Sequence, residues 1–327
     1  MRKKVIGVFW VLGIALLAFI IYKIGPKQIW EHINRITLSK FLILFGMRLV
    51  YFVLRAINWS FIMNLYEKRI PLFQLIIARI AGDGISYITP SAYLGGEPVR
   101  AMMIKSRDDR RSFASVVIDK TIEIVAMIFL TIVGISIAIL HIALPQRYKL
   151  IFILFAAVIL IFAFYLLLQQ QRGLFSGILI LFDRIKFRPR FIVKNREKIL
   201  ETDRHIIDFY AHHKKVFSLV FLLHSMVSLF WIFEIHLTLL FIEASGVHFV
   251  KSFLVATLGS MAILMPSTPA SIGTYELTFV TLIVLVGIPA GAGITMTLLR
   301  RIVALLWAGI GLLLMLKKLG PGHGKKT

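Results

Sequence analysis

TPSAYLGGE, residues 89–97, and TPASIGTYE, residues 268–276, are the two stretches that decide how this chain folds. Each opens on Thr-Pro, carries glycine near its end and closes on a glutamate seven residues after the proline. Each also interrupts a long apolar run. A proline and glycine break with a carboxylate at bilayer depth is tolerated only where protein or a water-filled cavity surrounds it. The two stretches therefore predict two re-entrant elbows that build one polar site inside the membrane.

The composition is that of a polytopic membrane protein. Hydrophobic residues make up 58% of the chain, against about 45–50% in soluble domains. The longest stretch without an apolar run, residues 170–215, is too short and too charged to form an independent enzyme core. We therefore treat residues 1–327 as a single integral membrane domain. The chain has no cysteine, which excludes disulfides, cysteine-ligated metals and thiol catalysis.

The apolar runs predict an all-α fold with about six full spanning helices. The predicted spans cover residues 5–22, 41–66, 112–140, 150–168, 216–243 and 294–316. Two pairs of shorter helices, in residues 72–105 and 252–287, each meet at an elbow and form a re-entrant hairpin.

The basic residues predict the orientation of these spans. The formal charge is +22, from 38 Lys and Arg against 16 Asp and Glu. In a soluble protein this would suggest nucleic acid, but basic residues also crowd the cytoplasmic loops of membrane proteins, so no nucleic-acid partner is expected. With a cytoplasmic amino terminus, 25 Lys and Arg fall in cytoplasmic segments and 7 on the opposite face. We expect a multi-pass protein of a prokaryotic plasma (inner) membrane, with both termini cytoplasmic. The basic segment 170–215 then lies on the cytoplasmic surface.

That topology makes two parts of the chain inverted copies of each other. Residues 41–140 read span, hairpin, span, and residues 216–316 repeat the order, with the two hairpins entering from opposite faces. Arg55 precedes Pro90 by 35 residues, and Glu234 precedes Pro269 by the same number. Inverted repeats with broken helices are a recurrent transporter plan. Chance is the alternative, because Thr-Pro is a common dipeptide.

The same residues resemble the motifs of a known family. The family is the lysylphosphatidylglycerol-synthase transmembrane region, which includes the flippase-like domain of bacterial multiple peptide resistance factors. Its "P…GGE..R" motif is matched by Pro90, Gly95, Gly96, Glu97 and Arg100, and its "P..PG..G..E" motif by Pro266, Pro269, Gly273 and Glu276. The chain departs from the second motif at Ala270, where the family has glycine with its greater backbone freedom.

The resemblance implies a lipid-translocating membrane domain. In the resistance factors a cytoplasmic acyltransferase domain makes aminoacylated phosphatidylglycerol, and the membrane domain moves it outward. This sequence contains no counterpart of the acyltransferase, so we do not expect an enzyme. If the protein were an enzyme, the hypothesis would be a lipid aminoacyltransferase. The expected substrate is an anionic or zwitterionic phospholipid or lipid-linked headgroup, including aminoacylated phosphatidylglycerol. An ion-coupled small-solute carrier and a membrane partner of a lipid-modifying enzyme stay open, as does homo-oligomerisation.

The candidate substrate-binding residues are polar or glycine and lie at the elbows or inside spans. They are Arg55, Gly95, Gly96, Glu97, Arg100, Glu234, Gly273 and Glu276, with Pro90, Pro266 and Pro269 as structural elbows. Helix amino termini and arginines bind phosphate, and buried carboxylates bind amines or relay protons. Arg300 and Arg301 either face the site or anchor the last span at the interface.

The alternative to these roles is structural. The arginines, including Arg48 and Arg79, would then only neutralise the buried carboxylates Asp83, Glu97, Asp119 and Glu123, and two of the glutamates would cap their own helices. His224 and His236 are interpreted as packing residues. We expect no metal or cofactor, because the sequence shows no metal-ligand spacing, nucleophile–base motif or P-loop.

Overall fold

The computed structural model describes residues 36–67, 70–89, 95–104, 108–141, 146–185, 190–263 and 271–319, with a few isolated positions before residue 36. Eleven helices lie within these ranges, and no strand does. In chain order they are α1 Leu38–Tyr66, α2 Leu72–Ile88, α3 Glu97–Met102, α4 Asp109–His141, α5 Gln146–Arg172, α6 Leu174–Arg184, α7 Arg190–His212, α8 Lys214–Phe241, α9 Phe249–Ile263, α10 Thr274–Leu285 and α11 Ala290–Leu319. The predicted all-α fold is confirmed.

Five helices are long and apolar enough to cross a membrane: α1, α4, α5, α8 and α11. They have between 27 and 33 residues, where a spanning helix needs about 20. They match five of the six predicted spans. The first predicted span, residues 5–22, lies outside the described residues.

The shorter helices occupy the predicted hairpins. Helices α2 and α3 have 17 and 6 residues, and α9 and α10 have 15 and 12. Each falls below the length of about 20 residues that a span requires. Pro90, Pro266 and Pro269 lie outside the described residues.

Each hairpin packs against the other half of the chain. Helix α2 packs on α11, α9 packs on α4, and α1 packs on α8. At the first of these crossings a Cβ on Gly84 would lie 2.9 Å from the carbonyl oxygen of Ala308, and a Cβ on Gly311 would lie 2.4 Å from that of Ile80. Because glycine leaves no side chain between them, the two backbones are in direct contact.

Within the basic segment 170–215 the structure describes two helices, α6 and α7, between the end of α5 and the start of α8. The sequence analysis treats it as one polar stretch, but α6 is largely apolar. Helix α7 buries Ile206 and Phe209 in a cluster with residues of α1 and α4. Its Asp203 carboxylate accepts hydrogen bonds from the backbone N–H groups of Phe175 and Ser176, at 3.3 and 2.7 Å. Since these N–H groups begin α6, the side chain caps that helix from outside it.

Candidate substrate site

A cavity of about 180 Å³ lies where seven helices meet: α1, α2, α4, α8, α9, α10 and α11. Its polar and aromatic lining consists of Arg48, Tyr51, Arg55, Asp83, Ser86, Tyr87, Lys120, Glu123, Ser228, Trp231, Glu234, Thr257, Ser260, Tyr275, Arg300 and Arg301. A cavity of roughly 150 Å³ holds one benzene ring. The volume here therefore suits a headgroup-sized molecule and excludes a pair of acyl chains.

One face of α1 supplies two arginines and a tyrosine to the cavity. Arg48, Tyr51 and Arg55 follow one another at spacings of three and four residues, which places them on the same side of a helix. The two guanidinium carbons lie 4.9 and 5.1 Å from the centroid of the tyrosine ring. At this distance a cation is attracted to the ring, so Tyr51 interacts with both arginines.

Ion pairs join α1 and α2 to α4. Arg55 donates to Asp83 at 2.8 Å and to Glu123 at 2.6 Å. Arg79 donates to Asp119 at 3.0 Å and to Glu123 at 3.0 Å. Each arginine therefore bridges two carboxylates, and Glu123 is shared between both.

The network continues to the end of the first hairpin. Arg100 donates to Asp119 at 2.6 Å and to Glu97 at 3.2 Å. The Lys120 ammonium lies 3.2 Å from Glu123 and 3.8 Å from Glu97. Helix α3 is thereby tied to α4 by charge as well as by packing.

This network is electrically balanced. Its four cations, Arg55, Arg79, Arg100 and Lys120, face four carboxylates, Asp83, Glu97, Asp119 and Glu123. Asp119 is fully buried and also lies 3.0 Å from Nε2 of His224 on α8. The pairing weighed in the sequence analysis as the structural alternative is thus present, because buried charges need partners.

A second set of ion pairs joins α8 and α10 to α11. Arg300 donates to Glu234 at 2.8 Å and to the Tyr275 hydroxyl at 3.4 Å. Its guanidinium carbon also lies 5.4 Å from the centroid of the Trp231 ring. One carboxylate, two aromatic rings and one cation therefore form the wall of the cavity on this side.

Glu276 both caps a helix and pairs with an arginine. Its Oε2 accepts a hydrogen bond from the Gly273 N–H at 2.8 Å, and its Oε1 accepts one from Arg301 Nε at 2.7 Å. Gly273 has a φ of +82°, which glycine adopts without a steric penalty. Arg301 also donates to the Tyr87 hydroxyl at 3.2 Å, so the second hairpin is connected to α2 of the first.

Arg48 is the cation left over. Among the described residues it faces no carboxylate within ion-pair distance, and its Nε is buried without a hydrogen-bond partner. It lies against the rings of Tyr51 and Phe52. Since Arg300 and Arg301 are matched by Glu234 and Glu276, the described charges around the cavity sum to +1, counting His224 as neutral. The elbow residues 90–94 and 264–270 carry no charged side chain.

Two of the candidate residues predicted from the sequence line the cavity, Arg55 and Glu234. Glu97, Arg100 and Glu276 lie one layer behind, where each pairs with a neighbouring charge. They position the lining and are not part of it.

The predicted glycines serve the hairpins. The Gly96 N–H donates to Ser86 Oγ at 2.9 Å, and the Gly273 N–H is held by Glu276. Both donors are therefore occupied by the protein itself. Gly95 is half-buried in the turn before α3.

Sequence reasoning missed the aromatic part of the site. Tyr51 lies four residues before Arg55, and Trp231 lies three before Glu234. Both spacings place the ring on the same helix face as the charge. A search for aromatic residues one helical turn away from each predicted charged residue would have found both rings.

The fold and cavity define an all-helical, multi-pass membrane protein with a charged internal site. The family model described as "Lysylphosphatidylglycerol synthase TM region" matches residues 5–311. The chain belongs to this family, and the prediction made from its motifs is confirmed.

Two curated relatives match over most of their length. A UPF0104 membrane protein of Methanothermobacter thermautotrophicus is 26% identical over 306 residues, covering 90% of this chain and 89% of the relative. A UPF0104 membrane protein of Pyrococcus horikoshii is 22% identical over 312 residues, covering 90% and 91%. This chain is therefore similar to these membrane proteins over 90% of its length, and not only at its two motifs.

Proposed function

We propose that this chain moves the anionic headgroup of a phospholipid or lipid-linked molecule across a prokaryotic plasma membrane. The observation that carries the proposal is the 180 Å³ cavity whose lining contains one arginine, Arg48, that forms no ion pair with any described residue. An uncompensated cation inside a bilayer is costly, and a bound phosphate offsets that cost by charge-assisted hydrogen bonds. The volume accommodates the headgroup, and the acyl chains remain in the lipid.

The proposal includes an inverted repeat made of residues 41–140 and 216–316. The pairing of helices supports it, because a two-fold relation maps the contact of α2 with α11 onto that of α9 with α4, and the contact of α1 with α8 onto itself. The cavity lies between the two halves. Alternating exposure of a site between inverted repeats is the working principle of many transporters.

Replacing Arg48 by glutamine is expected to slow headgroup translocation by roughly 10- to 150-fold, the equivalent of one hydrogen bond to a charged group. The measurement is the rate at which acyl-chain-labelled phosphatidylglycerol becomes accessible to an external quencher in vesicles containing the purified protein. Arg48→Lys should keep part of the rate, because it retains the charge without the planar fork.

Arg196→Gln is the matched control. Arg196 is half exposed and pairs with Asp183 at 2.8 Å, and exposed pairs contribute only about 0–1 kcal/mol. The Arg196→Gln variant should translocate the headgroup at the wild-type rate. Equal rates for Arg48→Gln and wild type, with both proteins folded, would show that this arginine binds no headgroup and would remove the observation on which the proposal stands.

The proposed topology is testable with single cysteines because the natural chain has none. Ser245 and Pro289 are exposed at the two ends of the second hairpin, and Glu197 is exposed on α7. In intact cells we expect an impermeant maleimide to label Ser245→Cys and Pro289→Cys, and to reach Glu197→Cys only after permeabilisation. Labelling of the two hairpin ends from opposite faces would mean that the hairpin spans the membrane, and the inverted repeat would be rejected.

An anion carrier for small solutes is the second candidate, because the cavity is large enough for a whole small organic phosphate. Uptake of free glycerol phosphate into the same vesicles distinguishes the two functions. A solute carrier accumulates it, whereas a headgroup translocator moves the lipid and leaves the free phosphate outside.

A further inference from the structure

The Glu234 carboxylate has one oxygen without a partner. The side chain lines the cavity and its residue is only 3% exposed. Oε1 accepts a hydrogen bond from Arg300 at 2.8 Å, whereas Oε2 is buried and accepts none from the described residues. A buried carboxylate oxygen without a donor is unfavourable. A group that is absent from the protein itself is therefore expected to donate to it.

Two side chains in the cavity lining therefore each have an atom without a hydrogen-bond partner among the described residues, and one needs an acceptor whereas the other needs a donor. Arg48, on α1, offers donors and a positive charge, its Nε has no hydrogen-bond partner, and it forms no ion pair within the described part of the chain. Glu234, on α8, offers an acceptor without a donor. A ligand that satisfies both contains an anionic group and a hydrogen-bond donor in the same headgroup.

The charge balance identifies the donor as a hydroxyl. The described residues around the cavity sum to +1, and Glu234 itself is already neutralised by Arg300. A phosphodiester carries one negative charge and brings the site to zero. An ammonium in the same headgroup would restore the surplus in a low-dielectric setting, where an unpaired charge is costly, and a hydroxyl donates without adding charge.

We propose that the substrate headgroup is a polyol phosphodiester whose phosphate binds Arg48 and whose hydroxyl donates to Glu234 Oε2. This inference rests on the function proposed above. The Trp231 ring lies one helical turn from Glu234 and lines the same wall. Its flat apolar face suits the C–H groups of a glycerol or sugar. The site selects against zwitterionic headgroups and against aminoacylated phosphatidylglycerol, whose ammonium groups add positive charge.

The test compares headgroups on the wild-type protein, so it does not depend on the folding of any variant. Vesicles receive acyl-chain-labelled phosphatidylglycerol, phosphatidylpropanol, phosphatidylethanolamine or lysylphosphatidylglycerol. Phosphatidylpropanol keeps the charge and length of the glycerol headgroup but lacks its hydroxyls. We expect phosphatidylglycerol to move about tenfold faster than phosphatidylpropanol, which one hydrogen bond to a charged acceptor supplies, and both lipids with ammonium groups to move more slowly still.

The Glu234→Gln variant tests whether Glu234 is the source of this headgroup selectivity. Its amide places a donor where Oε2 accepted, so the headgroup hydroxyl can only accept a neutral hydrogen bond there, and the tenfold preference for phosphatidylglycerol over phosphatidylpropanol should fall severalfold because neutral hydrogen bonds are weaker than those to a charged group. Glu243→Gln is the matched control, because Glu243 follows the same helix, is 62% exposed and pairs with Lys40. It should retain the preference.

The outcomes separate this inference from the proposed function. Equal rates for phosphatidylglycerol and phosphatidylpropanol mean that water satisfies Glu234, and the polyol assignment is then wrong while headgroup translocation stands. Fastest movement of an ammonium-bearing lipid also overturns it. If no labelled lipid moves with folded protein, translocation itself fails and the assignment fails with it.

Discussion

Asp119→Asn is expected to yield almost no folded protein in the membrane. The carboxylate is fully buried. It accepts hydrogen bonds from Arg79 at 3.0 Å and from Arg100 at 2.6 Å, and it lies 3.0 Å from Nε2 of His224. Loss of one partner from a buried ion pair costs about 3–5 kcal/mol because it leaves the other charge uncompensated. This is a large part of a total stability of about 5–15 kcal/mol. Yield of monodisperse protein after detergent extraction, and its thermal transition, measure the effect.

Asp208→Asn provides the comparison for this substitution. Asp208 lies on α7, is about half exposed and pairs with His212 at 2.8 Å. An exposed pair contributes roughly 0–1 kcal/mol, so yield and thermal transition should be unchanged. Normal folding of Asp119→Asn would contradict the central role given to this carboxylate and imply that Arg79 and Arg100 are neutralised by other groups.

Gly311→Ala is expected to destabilise the protein by about 1–3 kcal/mol or more, because overpacking at a tight contact forces the backbones apart. The added Cβ would lie 2.4 Å from the Ile80 carbonyl oxygen and 3.3 Å from the Ala81 Cα. These atoms belong to the backbone of α2 and cannot rotate away. A lower midpoint in thermal unfolding of the purified protein is the expected observation.

The control lies two residues away on the same helix. A Cβ on Gly309 would meet nothing within 4 Å. Gly309→Ala should therefore leave stability unchanged or raise it by up to about 1 kcal/mol, the difference in helix propensity between the two residues. If both substitutions behave alike, the close crossing of α2 and α11 is not tight enough to matter.

Much of the fold could be predicted because the chain alternates between apolar runs and a few Pro, Gly and charged interruptions. Helix α8 was predicted, as the span 216–243, within two residues of its observed bounds at each end, and α2 begins at residue 72, where the first hairpin was predicted to begin. These limits follow from local chemistry, since charged or Pro-Gly stretches end each run. The segment that became α6 was missed because its eleven residues, although apolar, are too few to register as a span.

The site was harder to predict because it depends on pairing between distant helices. Arg55 and Glu234 were found through their equal distance from the two elbows. The importance of Arg48 depends on its lack of an ion-pair partner among the described residues, which is visible only when the other arginines around the cavity have been assigned their partners. Glu276 was predicted with two competing roles, and the structure gives it contacts for both: a cap on Gly273 and a pair with Arg301.

The contact of α2 with α11 also affects how the protein is made. About 200 residues separate the end of α2 at Ile88 from the start of α11 at Ala290, and at roughly 5–20 residues per second a ribosome takes about 10–40 s to make them. During this interval α2 is without its final packing partner. The balanced network does not depend on that partner: Arg55, Arg79, Arg100 and Lys120 find all four of their carboxylates within residues 83–123. The four cations of this network can therefore be paired before the second half is synthesised, and among the described charges that α1, α2 and α4 contribute to the cavity only Arg48 then lacks an ion-pair partner.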